Sequence, residues 1–191
     1  GPEPARAVLN LGRSFLDPDS LAEMTEDPSD VLLRVSDEQS VLSSAGRSYV
    51  ERVLRRVDDR AKVQLWLLTP PRNMPSALER RQYIRGLEAG GARGPNSAVV
   101  VADFGEVAPA PLEVPLVGYA VADRTNKRFK AYAASAVARF GGAEYVARAG
   151  QEAATLALLE SLAACVLAPD ACGGEALSED KAQSIVGIKR P

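Results

Sequence analysis

Asp103 is the carboxylate best placed to do chemistry. It follows the run Ser97–Ala102, SAVVVA, and precedes Phe104 and Gly105. A short β-branched run bounded by turn residues predicts a strand buried on both faces. In open α/β sheets ligands gather at the carboxyl ends of the strands, where Asp103 falls. The 191 residues include no histidine. That excludes Ser-His-Asp and Cys-His nucleophile systems, phosphohistidine chemistry and histidine-based zinc sites. Catalysis would have to rest on carboxylates, arginine, lysine, tyrosine or hydroxyls, and a bound hard cation would take oxygen ligands.

Two further groups of residues bear on chemistry. Asp17-Pro18-Asp19-Ser20 has the opening of a calcium loop, but the sixth and twelfth positions, which want Gly and an acid, hold Ala22 and Pro28. Cys165 and Cys172 are the only cysteines. Two thiols cannot make a four-thiolate metal site, and their spacing matches neither a CxxC redox motif nor a zinc knuckle. The spacing leaves a short intrachain disulfide and two unrelated free thiols equally open. A disulfide would contribute roughly 2–3 kcal/mol in the chain-entropy model and would imply an oxidising compartment.

The elements that must position these residues follow from the pattern. The length suits one domain with extensions, and 46% apolar with 25% charged residues is ordinary for a globular chain. A net charge of −2 and a pI near 5.4 give no footprint for nucleic acid. No apolar run reaches the length of a membrane span, and no signal or transit peptide pattern is present. Gly1-Pro2 reads equally as a mature end or a tag scar.

Residues 1–29 are rich in Pro and acid with one apolar knot, Phe15-Leu16, and are read as an N-terminal arm. A domain spanning 30–168 follows. Asp30–Val35 predicts its first strand. Leu42, Tyr49, Val50, Val53, Leu54 and Val57 recur at helical steps, predicting a helix opened by Ser43 or Ser44 and ending near Asp58-Asp59. Lys62–Thr69 predicts a second strand, stopped by Pro70-Pro71. Ser76 and Glu79 form a capping box for a helix reaching Gly90-Gly91. The Ser97 strand comes next, then a loop with three prolines over 105–115 and a fourth strand, Leu116–Val121. Asp123 is placed to cap a helix carrying Phe129, Tyr132, Ala133, Ala136, Val137 and Phe140, which Gly141-Gly142 ends. Ala143–Val166 predicts one long helix, and 169–191 a polar tail with an apolar patch at Ile185–Ile188. The order is βαβαββαα. It predicts an α/β three-layer sandwich: a small, mostly parallel sheet, an antiparallel return strand at its edge, and helices on both faces.

This order resembles the TPM-domain family over residues 30 to 166. The matching phrases are Val35-Ser36-Asp37-Glu38-Gln39-Ser40-Val41-Leu42-Ser43, the strand Val63–Leu68, the loop Pro95-Asn96-Ser97 before the buried strand, Gly118-Tyr119-Ala120, and the two closing helices over Asp123–Val166. Val100–Gly105, the Ala164-Cys165 helix end and Cys172 after a Pro-containing turn are most similar to small TPM-like proteins of the plant and algal thylakoid lumen. That resemblance implies a Cys165–Cys172 disulfide and a processed chloroplast protein. The alternative setting is a bacterial cell envelope, which suits the Ala/Arg-rich composition.

Some members of the wider family are acid phosphatases, and others bind calcium or assist photosystem II repair. Phosphatase work without histidine would need clustered carboxylates holding a metal that polarises the phosphoryl group and activates water. The candidates are Asp37 after strand one, Asn96 before strand three, Asp103 at its end and Asp123 after strand four. Asp37, Asn96 and Asp103 would be the ligands of calcium or magnesium. The chain departs from the family pattern at Asn96-Ser97, where Asn-Gly is usual, at Ala120, where a second Gly is usual, and at Val121-Ala122, where an acid is usual. The competing roles are turn and N-cap duty for Asp103 and Asp123, and solvated turn positions for Asp37 and Glu38. The thinned acidic set favours a non-catalytic lumenal auxiliary protein for assembly or repair, requiring no cofactor. It would bind a photosynthetic membrane complex, photosystem II first, through Phe15, Leu16, Ile185 and Ile188. The alternative is a metal-assisted acid phosphatase.

Overall fold

A computed structural model describes residues 34–70, 76, 78, 79, 82, 97–104, 117–121 and 127–191, with backbone only for 117–121 and 127. The arm with Phe15 and Leu16, the calcium-loop residues, Asn96, the proline loop and Asp123 lie outside the described residues. Four strands form one sheet in the order β1 (Val35–Asp37), β2 (Gln64–Thr69), β3 (Ser97–Ala102) and β4 (Val117–Val121). β1, β2 and β3 run parallel, and β4 returns antiparallel at the edge. This is the α/β sandwich that the element order predicts, including the direction of the edge strand.

The register explains why Asp37 and Asp103 belong to one place. Asp37 pairs with Thr69 across β1 and β2, and Leu68 pairs with Val101 across β2 and β3. All three parallel strands therefore end at the same edge. β1 includes Ser36 and Asp37, so it ends two residues later than the apolar run suggests. Alternation along the strands sends Val35, Leu65, Leu67, Ala98, Val100 and Ala102 into a core shared with the helices. Trp66, Leu68, Val99 and Val101 alternate to the opposite face and are equally buried, so both faces of β2 and β3 are covered.

The helix α1 (Ser44–Ala61) starts at Ser43, whose hydroxyl accepts the Gly46 amide at 3.0 Å. It ends at Lys62 in the left-handed conformation, three residues past the expected stop. At the expected capping box the Ser76 hydroxyl accepts the Glu79 amide at 3.2 Å. α2 (Lys127–Phe140) buries Phe129, Tyr132, Ala133, Ala136 and Phe140, as its stripe predicts.

The long closing helix is a correction. It is two helices, α3 (Ala143–Ala149) and α4 (Gln151–Leu167), bent by 116°. The break is Gly150, at φ 93°, which side-chain-bearing residues rarely adopt. Helical composition could not reveal the turn, because a lone glycine is tolerated in a helix. α4 is buried without interruption from Ala154 to Cys165 and packs on α1, α2, α3 and α5 (Glu179–Val186). A helix apolar all round belongs in a core. Among the described residues no single helix is long and apolar enough to cross a membrane.

The expected polar tail is also a correction. Residues 169–191 form a short 3-10 turn, Pro169–Ala171, and then α5, whose Ala182 and Val186 are buried. Ile185 and Ile188 are half-buried against the protein's own core. Ala182, Ile185, Val186 and Ile188 recur at three- and four-residue steps, an apolar stripe too short to stand out in the sequence. Cys165 and Cys172 form a disulfide that ties the end of α4 to the chain entering this segment.

Candidate functional site

Asp37 and Asp103 meet at the carboxyl edge of the parallel strands, joined through two residues that the sequence did not single out. The Thr69 hydroxyl donates to Asp37 Oδ1 at 2.8 Å and accepts the Gln39 backbone amide at 3.0 Å. The Gln39 side chain then donates from Nε2 to Asp103 Oδ1 at 2.8 Å and accepts the Phe104 amide on Oε1 at 2.9 Å. One hydrogen-bonded line runs Asp37, Thr69, Gln39, Asp103, crossing β1, β2 and β3.

Each carboxylate is engaged by the protein itself. Asp37 Oδ1 also accepts the Val41 amide at 2.9 Å, and Oδ2 accepts the Leu42 amide at 2.8 Å. Its carbonyl accepts the Ser40 amide at 3.2 Å, closing a turn with Ser40 at φ 53°. Asp37 therefore holds the connection from β1 into α1 with both main chain and side chain. Asp103 and Gln39 are both buried, at 5% and 2% exposure. The geometry gives both aspartates the work of organising loops. A hydrolytic metal centre needs the opposite: converging oxygens and an open coordination position. Among the described residues no three Asp, Glu or Cys side chains converge as a cation site. Asn96 and Asp123 lie outside the described residues, so the four candidates reduce here to two.

A second polar cluster lies within the helices, and the sequence reading missed it. Glu160 is wholly buried in α4. Tyr49 of α1 donates its phenol to Glu160 Oε2 at 2.5 Å. Arg190, beyond α5, donates Nε to the same oxygen at 3.0 Å and Nη2 to Oε1. Arg190 also pairs with Glu179 at 3.5 Å, and Glu179 Oε1 accepts the Tyr145 phenol at 2.5 Å. Burial, then the hydrogen bond to Glu160, pushes the Tyr49 phenol well above its usual range. Burial, then the Glu179 bond, raises Tyr145 to about 12. The hydrogen bonds to Glu160 hold Arg190 more firmly protonated still. The available signal was the single acid in the Ala/Leu run 153–167, where a buried charge demands a partner.

A third place is a cleft of about 260 Å³ beside the disulfide, with Val63, Phe129, Cys165 and Cys172 among its walls. Arg128 stands at it and donates Nε to the Cys172 carbonyl at 2.7 Å. Among the described residues that line it, none is a carboxylate.

The class defined by fold and site is an α/β sandwich whose sheet-edge aspartates are tied into its loops. No protein-family model matches the chain, and the comparisons with curated proteins and with solved structures likewise found no match.

Proposed function

We propose that this chain is a non-catalytic auxiliary protein of the thylakoid lumen, serving the assembly or repair of a photosynthetic membrane complex, photosystem II first. One observation carries the non-catalytic half: Asp37 has both carboxylate oxygens occupied by Val41, Leu42 and Thr69, and buried Asp103 is held by Gln39. Calcium or magnesium there would compete with those bonds for the same oxygens, at the turn into α1. The TPM resemblance supplies the compartment and the partner class. A Cys165–Cys172 disulfide suits an oxidising lumen. Ile185 and Ile188 no longer motivate the docking surface, since their apolar area serves the protein's own core.

The test is co-migration. Purified, oxidised chain is mixed with detergent-solubilised thylakoid complexes and resolved on a density gradient. The proposal expects it with photosystem II and not with photosystem I. Migration at the position of the free 20.2 kDa chain in every fraction contradicts it. The rival reading, a metal-assisted acid phosphatase, requires turnover of a phosphate ester that depends on Asp103.

A further inference from the structure

The buried Glu160 cluster has the design of a receptor, and its ligand is part of the same chain. Glu160 sits at 0% exposure in the middle of an apolar helix. A carboxylate there is strongly disfavoured unless a cation and further hydrogen-bond donors reach it. The cation comes from Arg190, next to the last residue given, in the two-pronged arrangement that a guanidinium makes with a carboxylate. Tyr49 completes the shell of Glu160 Oε2, and Glu179 shares the guanidinium, itself held by Tyr145. The groups come from α1, α3, α4 and α5, so the pocket is built from four helices.

The segment that delivers Arg190 has the anatomy of a strap. Its upstream end is pinned by the disulfide at Cys172. Gly173 and Gly174 follow, exposed and with open space around both Cα atoms. Ala176 and Leu177 are then fastened to α2 through Ser135, Arg139 and Tyr132. α5 covers α4, and Arg56 of α1 donates to the Val186 carbonyl at 2.7 Å. Arg190 enters its pocket at the far end.

We propose that Glu160, Tyr49 and Glu179 form a guanidinium-binding site, occupied in this chain by Arg190, which closes residues 175–191 over α4 as a strap. The recognised chemistry is a planar guanidinium: an ammonium is a point charge and cannot bond both oxygens of one carboxylate in the same fork. This site is independent of the sheet-edge aspartates and of the proposed function.

The test is chemical rescue in the full-length chain. Arg190→Ala is expected to lower the midpoint of thermal unfolding by several degrees and to raise amide exchange across 179–187 at least tenfold. Millimolar ethylguanidinium should restore a measurable part of both, while ethylammonium at the same concentration should not. The rescue must vanish in Arg190→Ala/Glu160→Gln, whose neutral amide has no need of a cation, and be absent in the unsubstituted chain. Rescue by both amines, rescue that survives Glu160→Gln, or no rescue at any concentration below the denaturing range overturns the proposal. Should Arg190→Ala fail to fold, Arg190→Lys serves in its place: weakened closure with partial ethylguanidinium rescue supports the site, and unaltered exchange across 179–187 overturns it.

Discussion

The Asp37 carboxylate accepts three hydrogen bonds at the point where β1 turns into α1, and this decides what it is for. Asp37→Ala leaves the Val41 and Leu42 amides and the Thr69 hydroxyl without their acceptor. It should destabilise the fold by about 2 kcal/mol, read from the shift in urea midpoint. An unchanged midpoint would make Asp37 a solvated turn residue. The tyrosines bonded to buried Glu160 and to half-exposed Glu179 should make the protein sensitive to alkali. Tyr145 is raised from about 10 to about 12 by burial and by Glu179, and Tyr49 is raised in the same direction. Below pH 10 the phenols are protonated in folded and unfolded chains alike, so their contribution is intact. From about pH 10 upward the unfolded chain ionises first, and stability falls as pH rises through the folded values. Between pH 10 and 12 the unfolding free energy of Tyr145→Phe should therefore decline less steeply than that of the parent. Equal slopes would show that the phenol is not perturbed. At this scale the sequence was half legible. Asp103 and Asp37 could be placed at one edge, because strand ends follow from composition. Thr69 and Gln39 could not be chosen, because a hydroxyl at a strand end and an amide in a turn are ordinary surface residues until register sets them face to face.

The elements were more legible than the contacts between them. Strand identity, the parallel core, the antiparallel edge and the Ser43 cap all follow from β-branched runs, helical spacing and capping residues. Two failures have physical causes. Gly150 turns the chain through a conformation that leaves no mark on composition. α5 has only eight residues, too few to be stable alone, and takes its stability from packing on α4. A third feature joins distant elements: Glu152, in the first turn of α4, accepts the Ser43 hydroxyl at 3.1 Å and the Ser43 amide. The carboxylate thereby lies at the N-terminus of α1, where the helix dipole favours it, and Gly46 leaves it room, since a Cβ there would come within 2.9 Å. The disulfide acts at the same scale, fixing the exit from α4. Cys172→Ser should cost roughly 2–3 kcal/mol, given the short loop closed. The measurement is the urea midpoint of the variant against the oxidised parent, and a loss below half that value would show that packing alone holds the junction.

At the scale of the whole molecule, the two polar clusters divide the fold. One stitches the strand ends together across the sheet, and the other fastens the C-terminal strap to the helical layer. Neither resembles an open catalytic pocket: in each, the acids are answered by groups of the chain itself. That self-satisfaction is what supports the proposed binding role over turnover. The most direct measurement is hydrolysis of an aryl phosphate by the oxidised, full-length chain at acid and neutral pH, with calcium, magnesium or chelator. Asp103→Asn, shown by circular dichroism to be folded, is assayed beside it. The proposed non-catalytic role predicts no rate above the protein-free blank under any condition, and no difference between the two chains. Cation-dependent turnover that disappears in Asp103→Asn would contradict it.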